Sequence, residues 1–304
     1  MKPIFPLILG TILLLQGCSP TNKSTLSVNQ FVIALKPNKN VQGQREDEKI
    51  LAEELSKGLG IPVKITTPSK GSIIEAGFAN GTIDLGYVSS RDAVSLEDND
   101  VAEILLAGEH ESINPEGKPF KGPYYYSVWL SLKEKPYSSV ADLADKSIAF
   151  ASRTSTSGFL VPSWDLLKKG HIQEGGKLAD FFGDGNIYFG TGYVSAVERV
   201  LEGQAEAAAV SYYVFEKDKH LTQEQRNKLK VVARQGPVAS HTFCVRKTLP
   251  ETDRNALKKA LLEMVAKKPD TCQGLFGGKL VKVNPIEHLK IPREIKVKVA
   301  TLKE

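Results

Sequence analysis

Short apolar strands alternate with amphipathic helices along the first part of this 304-residue chain. Residues 31–35 are β-branched and apolar, and residues 48–59 carry leucine and isoleucine at helical spacing before a glycine stop. A strand at 61–66, a helix at 73–79 and a strand at 83–88 follow. Alternation of this kind predicts a parallel sheet with helices on both faces, so the expected fold class is α/β.

One helix–turn–strand pattern occurs twice, at residues 81–89 and 203–211. Each copy places an acid, Asp84 or Glu206, three residues after a glycine and then runs a small-residue strand into Val-Ser. Chance similarity is the alternative, but the repeat favours two lobes that are built alike. Ligands of open α/β sheets bind beyond the carboxyl ends of the strands. The residues expected to face a common cleft are therefore Tyr87, Ser89, Ser90, Ser211, Tyr212 and Tyr213.

Four hydroxyl residues in a row, Thr154, Ser155, Thr156 and Ser157, separate a predicted strand from a predicted helix. The first turn of a helix has unpaired N–H groups and a partial positive charge, so hydroxyls there favour an anion. The alternative is that one of them only caps the helix. A cap needs a single hydroxyl, and we therefore expect an anion site.

The N-terminus carries an export signal. Lys2 precedes an apolar run at 4–15, which is too short to span a bilayer. The run ends in Leu-Gln-Gly-Cys18, which resembles the bacterial lipobox, although a plain secretory signal is the alternative. We expect a signal peptide at 1–17, lipidation of Cys18 and a polar tether at 18–27. The predicted location is the cell envelope, on the periplasmic or extracellular face, with the membrane contacted through the lipid.

The charge and the cysteine content of the chain argue against nucleic-acid binding and against a metal site. The formal net charge is +5, yet no run of five like charges occurs, so nucleic acid is not expected as a partner. A mild positive balance suits a protein that binds small anions. Cys244 and Cys272 show no metal-ligand spacing, so we expect no metal site. Whether these two cysteines form a disulfide stays open at this point.

Two crossings connect the predicted lobes. A polar loop at 109–123 leads into a long strand at 124–132, which we interpret as the outgoing crossover. The chain returns through 231–233 and 239–245. A helix at 253–267 is expected to pack back on the first lobe. The predicted boundaries are 28–130 with 238–304 for lobe 1, and 131–237 for lobe 2.

The sequence resembles the phosphate/phosphite/phosphonate substrate-binding proteins of bacterial ABC importers, from about Leu26 to about Phe276. The most specific string is Ser155-Thr156-Ser157-Gly158, followed by Pro162. Weaker matches lie at 83–87, 125–128, 140–143 and 245–250.

This resemblance implies a two-lobed type II periplasmic binding protein fold, whose hinge of two crossover strands closes on a tetrahedral oxyanion. It implies that Ser155 and Thr156 donate hydrogen bonds to the anion and that Tyr126 lines the pocket. It also implies a monomeric solute-binding lipoprotein that works with ABC permease subunits and needs no cofactor.

Three pocket positions differ from the pattern of the family. Tyr193 stands where relatives have histidine, and Tyr213 stands where binders of aminoalkylphosphonates have glutamate. His241 stands where the family has aspartate, and when protonated it would add positive charge. These residues favour phosphate, phosphite or methylphosphonate, with binding that weakens as pH rises through the histidine range.

An enzyme and a sensor are the two alternative functions. An enzyme is disfavoured because the chain has no Walker loop, no Gly-x-Ser-x-Gly elbow, no His-Glu-x-x-His and no convincing acid pair. A sensor that presents its closed state to a membrane histidine kinase would have the same fold. The sequence does not separate an importer component from such a sensor.

Overall fold

A computed structural model describes residues 26–36, 41–217 and 220–303. The predicted signal peptide at 1–17 and the predicted lipidation site, Cys18, lie outside the described residues. The α/β fold class is confirmed. No helix within the described ranges is long and apolar enough to cross a membrane.

The first lobe is built on a sheet with six strands in the described part of the chain. In spatial order these are β13 (Leu280–Val281), β4 (Ala102–Gly108), β12 (Thr242–Arg246), β3 (Leu85–Val88), β1 (Phe31–Ala34) and β2 (Val63–Thr66). Strands β1, β2 and β3 are parallel, whereas β12 runs antiparallel between β3 and β4. The carboxyl ends of β1 and β3 therefore lie at one edge of this sheet.

The second lobe has its own sheet. In spatial order its strands are β11 (Leu229–Ala239), β7 (Tyr124–Leu132), β10 (Ala207–Ser211), β8 (Ile148–Phe150) and β9 (Ile187–Phe189). Strand β7 pairs with both β10 and β11 along its length, so the predicted lobe boundary after residue 130 is wrong. The reason is that β7 lies inside this sheet, between β11 and β10, and its residues 125–131 are buried.

Helices cover both faces of each sheet, as the alternating pattern predicted. They are α1 (Val41–Leu59), α2 (Gly71–Asn80), α3 (Ser90–Asp98), α4 (Val161–Lys168), α5 (Ala179–Phe182), α6 (Tyr193–Leu201), α7 (Tyr212–Glu216), α8 (Gln223–Asn227), α9 (Glu251–Lys267), α10 (Pro269–Phe276) and α11 (Pro285–Val299). Helices α1, α9 and α10 pack on one face of the first sheet, and α2 and α3 lie on the other. The predicted helix at 253–267 is thus confirmed as α9.

The repeated acids hold equivalent positions in the two lobes. Asp84 precedes β3 and accepts hydrogen bonds from the Val32 backbone N–H (2.8 Å) and the Arg246 guanidinium (2.7 Å). Glu206 precedes β10, and its side chain accepts from Lys135 and from the Tyr137 hydroxyl (2.9 Å). Each acid therefore anchors the start of a central strand.

The two crossings lie side by side. A hairpin, β5 (His110–Ile113) with β6 (Pro119–Gly122), leads out of the first lobe, and Ser240 and His241 lead back. The Ser240 hydroxyl lies 2.7 Å from the Gly108 carbonyl oxygen and 2.9 Å from that of Pro123. One serine thus ties the outgoing and returning chains together.

Helix α11 spans both lobes, which corrects the assignment of all of 238–304 to lobe 1. Leu289 belongs to a first-lobe core, whereas Ile295 and Val299 belong to a second-lobe core. Arg293 pairs with Glu97 on α3 (3.0 Å). The helix can contact both lobes because its two ends bury different apolar residues.

The folded body begins earlier than predicted. Ser27, placed in the tether, donates from its backbone N–H (3.0 Å) and its hydroxyl (2.5 Å) to the buried carboxylate of Asp253. Leu26 packs against the first-lobe core, so the predicted tether must end before it. Cys244 and Cys272 are both buried free thiols.

Candidate ligand-binding cleft

The hydroxyl-rich turn opens a helix, as predicted. A π-helical turn, Thr156–Leu160, runs directly into α4. Gly158 allows this turn to lie against β8, because a Cβ there would sit 2.4 Å from the Cβ of Ala151. The helix start is therefore held close to the carboxyl end of β8.

The four hydroxyls of the turn have different surroundings. The Ser155 hydroxyl caps the helix by accepting from the Gly158 N–H (3.0 Å), which is the alternative role the sequence allowed. The Ser157 hydroxyl is buried and lies 2.7 Å from the Tyr193 hydroxyl. Thr154 is exposed, and Thr156 is half-buried and lines a cavity between the lobes. Thr156 is the hydroxyl best placed to meet a ligand.

Two tyrosines lie beside the hydroxyl-rich turn of the second lobe. The rings of Tyr193 and Tyr213 lie edge to face, with centroids 5.8 Å apart. Burial, and next the neighbouring Tyr193, raise the pKa of Tyr213 well above its ordinary value, while the Ser211 hydroxyl beside it acts in the opposite sense. Tyr213 is therefore a neutral hydroxyl here and supplies no negative charge.

The tyrosine of β7 that reaches this group is Tyr125, which the sequence analysis did not select. Alternate residues of a strand point to opposite faces, and Tyr125 and Ser127 share the face toward the turn. The Ser127 hydroxyl donates to the Ser157 carbonyl (2.5 Å). Burial raises the pKa of Tyr125 well above its ordinary value, and the Ser157 side chain acts in the opposite sense. The predicted Tyr126 instead packs edge to face on Phe120 of the hairpin, at 5.7 Å.

Two of the first-lobe residues selected from the sequence, Tyr87 and Ser89, form hydrogen bonds within the lobe that stabilise its fold. The Tyr87 hydroxyl donates to the Phe276 carbonyl (2.9 Å), and its ring stacks on His241 at 5.5 Å. The Ser89 hydroxyl caps α3 by accepting from the Asp92 N–H (3.2 Å) and also lies 2.6 Å from the Asp92 carboxylate. Ser90, the next residue, lines the same cavity as Thr156.

The two cleft histidines are kept uncharged. Burial, then the charges of Lys36 and His110, lower the pKa of His241 well below its ordinary value. Burial and the nearby Lys217 lower the pKa of His110 to about 4, and its Nδ1 lies 3.1 Å from the Tyr212 hydroxyl. These low pKa values argue against the expectation that a protonated His241 adds positive charge at neutral pH.

A cation, Lys36, lies just after β1, although the sequence predicted only a turn there. Lys36 follows β1 at its carboxyl end, with its ammonium 3.7 Å from the Asp92 carboxylate. Burial lowers the pKa of Lys36, and Asp92 acts against that shift. The signal available in the sequence was its position, because the carboxyl end of a parallel strand is where ligands bind.

The open space between the lobes is a cavity of about 280 Å³, called here the interlobe cavity. Ser90 and Arg91 of α3 contribute from the first lobe, and Thr156 and Leu160 contribute from the second. Residues of α11, including Ile295 and Lys296, close a third side. No three histidine, cysteine or acidic side chains of the described ranges come together as a metal site.

Comparison with known proteins gives a consistent result. Residues 33–283 match the family described as "ABC transporter, phosphonate, periplasmic substrate-binding protein". The phosphate-import protein PhnD of Mycolicibacterium smegmatis is 23% identical over 205 residues, which are 64% of this chain and 60% of that protein. The phosphonates-binding periplasmic protein of Escherichia coli is 23% identical over 210 residues, 67% of this chain and 57% of that protein. The chain thus spans less than two thirds of the length of these curated relatives.

Among solved structures, PhnD1 from Prochlorococcus marinus in complex with methylphosphonate superposes with a TM-score of 0.68 at 18% identity. The superposition covers 90% of this chain and 99% of that one. This likeness establishes the type II periplasmic binding protein fold.

Proposed function

Because this chain belongs to the periplasmic substrate-binding protein family of phosphonate ABC transporters, we propose that it captures a small tetrahedral oxyanion between its lobes. The family consists of binding proteins and not of enzymes. The relatives are named for phosphate import and phosphonate binding, and one similar structure holds methylphosphonate. Phosphate, phosphite or a phosphonate is accordingly the proposed ligand, and ABC permease subunits are the proposed partners of a monomer.

The observation that carries this proposal is the pairing of Thr156 with Ser90 across the interlobe cavity. Thr156 is the first residue of a helical segment that continues to Lys168, so the positive end of that helix faces the cavity. Ser90, the first residue of α3, lines the cavity from the opposite lobe, so a second helix start lies beside it. An anion bound there would gain hydrogen bonds from both lobes at once, which favours closure.

Lys36 adds the charge that the histidines lack. Its ammonium group lies at the first-lobe edge of the cleft and is only partly neutralised by Asp92 at 3.7 Å. An arriving anion would lessen the cost of burying this cation, because a second negative charge offsets the lost hydration. We therefore assign Lys36 to electrostatic attraction and Thr156 to direct hydrogen bonding.

The second-lobe residues Tyr193 and Tyr213 make a ligand with an ammonium group unfavourable, because neither supplies a negative charge. Such a group needs a carboxylate partner when buried. Tyr213 and Tyr193 pack on each other, and the cleft carboxylate Asp92 is already engaged by Ser89 and Lys36. The arrangement favours phosphate, phosphite or methylphosphonate over 2-aminoethylphosphonate.

The proposed location is the outer face of a membrane, with Cys18 acylated. The support is the Leu-Gln-Gly-Cys18 string after a signal-like apolar run. Seven residues, 19–25, separate Cys18 from the first described residue, Leu26. Such a tether reaches at most about 25 Å when extended, which would keep the first lobe near the bilayer.

A thermal-shift screen tests the binding proposal. Phosphate, phosphite, methylphosphonate and 2-aminoethylphosphonate are added separately in large excess, with sulfate as a comparison anion. A ligand at about a hundred times its Kd stabilises the folded protein by about 2.7 kcal/mol, so at least one phosphorus oxyanion should raise the melting temperature by several degrees. Equal melting temperatures with all additions would contradict the proposal.

A further inference from the structure

Helix α9 and strand β13 carry a surface that is both basic and partly apolar, called here the α9 surface. Two adjacent hollows form it, and they share Leu262 and Ala266 as lining residues. Leu262 is a large apolar side chain that stays 37% exposed. The apolar part of the surface consists of Leu262, Val265, Ala266, Pro269, Leu280 and Val281.

Lysines outnumber acids on this surface. Five lysines and two glutamates line the hollows, and the lysines are Lys121, Lys258, Lys259, Lys279 and Lys282. Glu263 is shared between Lys259 (3.9 Å) and Lys267 (3.6 Å), and Glu109 lies 3.6 Å from Lys121. Lys258, Lys279 and Lys282 form no ion pair within residues 26–36, 41–217 and 220–303. The α9 surface therefore carries positive charge that the acids of these ranges do not pair.

The chain enters the folded body at the first turn of α9. Leu26 packs on the first-lobe core, and the Ser27 backbone N–H donates to the Asp253 carboxylate of α9 (3.0 Å). Leu262 comes nine residues after Asp253, which is about 14 Å along a helix. The seven-residue tether reaches at most about 25 Å. A lipid on Cys18 would thus hold a bilayer within reach of the α9 surface.

Anionic phospholipid headgroups are the partner that this combination of residues fits. A negatively charged membrane attracts each nearby lysine enough to strengthen binding by about fivefold. Long lysine side chains keep their ammonium groups among the headgroups, while an apolar neighbour such as Leu262 contacts the acyl boundary. A basic patch also acts as a second signal that stabilises attachment through a lipid chain.

We propose that the α9 surface docks on an anionic phospholipid bilayer and so fixes which side of the protein faces the membrane. This goes beyond the proposed function and rests on the proposed acylation of Cys18, which keeps the surface close to the bilayer. The residues that line the α9 surface are not those that line the interlobe cavity. Docking and oxyanion binding are therefore separable by substitution.

The test uses the acylated protein as it is made in the cell, reconstituted in vesicles of phosphatidylcholine alone or of equal parts phosphatidylcholine and phosphatidylglycerol. An environment-sensitive dye is attached to Ala266→Cys on the α9 surface or to Val297→Cys on α11, where Val297 is 68% exposed. Cys244 and Cys272 compete poorly for the dye, because both are buried and burial raises the pKa of each thiol to about 12. At low salt, emission from the dye at position 266 should shift to shorter wavelength in the mixed vesicles, and emission from position 297 should not.

Removal of charge from the surface tests its role. A triple variant, Lys258→Gln with Lys279→Gln and Lys282→Gln, should lower the ratio of docked to undocked protein about a hundredfold and so abolish the shift. The matched control replaces three exposed lysines of other regions by glutamine, namely Lys64, Lys70 and Lys133. It should keep the shift, and melting temperatures near the parent value show that both variants are folded.

Several results would overturn the inference. If the protein stays with the mixed vesicles but the dye at position 266 does not shift, the docking surface is refuted while the lipid anchor stands. A shift that is equal in neutral vesicles, persists at high salt or survives the triple variant would exclude lysine–headgroup attraction as its cause. Loss of oxyanion uptake in the triple variant, with no shift in the parent, would make the surface a permease contact. If no protein remains with either kind of vesicle, the anchor and the inference fail together. Oxyanion binding is measured separately and is not affected by any of these outcomes.

Discussion

The hydroxyl of Tyr193 lies 2.7 Å from the hydroxyl of Ser157. This contact joins the first residue of α6 to the turn at the start of α4. Both residues were expected to bind the ligand, but here their hydroxyls hydrogen-bond to each other. The Ser155 hydroxyl is likewise engaged as a helix cap. Of the four hydroxyls in the turn, Thr156 is the one that lines the interlobe cavity.

Thr156→Val should weaken oxyanion binding by about tenfold to a hundredfold, because a hydrogen bond to a charged group contributes roughly 1.5–3 kcal/mol. The shape of the side chain is kept, so the melting temperature without ligand should stay near the parent value. Ser155→Ala is the comparison: loss of its cap should cost about 1 kcal/mol of folding stability. Calorimetry and urea unfolding measure the two effects, and unchanged affinity in Thr156→Val would contradict the assignment.

Lys36→Met should reduce affinity at low salt, because it removes a positive charge from the first-lobe edge of the proposed cleft. Lys64→Met removes an exposed cation from β2 and serves as the matched control. Titration at two salt concentrations checks the result. Equal losses in both variants would show that only the net charge of the protein matters.

Asp84→Asn should strongly destabilise the first lobe. The Asp84 carboxylate pairs with the Arg246 guanidinium at 2.7 Å, and the side chains are only 6% and 15% exposed. Removing one partner of a buried ion pair costs about 3–5 kcal/mol, because the other charge stays buried. The equivalent change, Glu206→Gln, should cost less, since both Glu206 and Lys135 are more exposed. Urea unfolding compares them, and an equal cost would contradict the argument from burial.

Stability should fall as the solution is acidified from about pH 6.5 toward pH 4. His110 has a folded-state pKa of about 4 against an ordinary value of 6.5, so the unfolded chain takes up the proton first. The stability is fully present above the unfolded pKa and is lost as pH falls toward the folded one. His110→Gln should show a smaller loss over this interval in melting-temperature measurements. The same loss in both proteins would contradict the burial of His110 as its cause.

Cys18→Ser should release the protein from the membrane fraction if Cys18 carries the lipid. Exchange of one sulfur for oxygen removes the nucleophile for acylation and changes little else. Fractionation with immunodetection gives the readout, and Ser19→Ala is the control. A Cys18→Ser protein that stays membrane-bound would refute the lipid anchor.

The fold was largely predictable because its signals are local. Alternation of strands and helices, the acids at Asp84 and Glu206 and the hydroxyl turn at 154–157 all depend on short stretches of sequence. The C-terminal helix α11 was not foreseen as a bridge, because its apolar residues serve two different cores. No local pattern shows which core an apolar residue joins.

The site was predictable in its location more than in its chemistry. The sequence could not decide between Tyr125 and Tyr126, because the face of a strand depends on register, which the partner strands fix. Lys36 was missed because its charge matters only through its place beside Asp92. The pKa of His241 could not be predicted from the sequence, because its burial comes from elements distant in sequence.

Calorimetric titration of the purified full-length protein with phosphate, phosphite and methylphosphonate tests the central claim most directly. We predict that at least one of them binds with micromolar or tighter affinity, at one molecule per chain, and that the same titration of Thr156→Val shows a clear loss. Absence of binding by all three, or tight binding that Thr156→Val leaves unchanged, would contradict an oxyanion held at the helix start between the lobes.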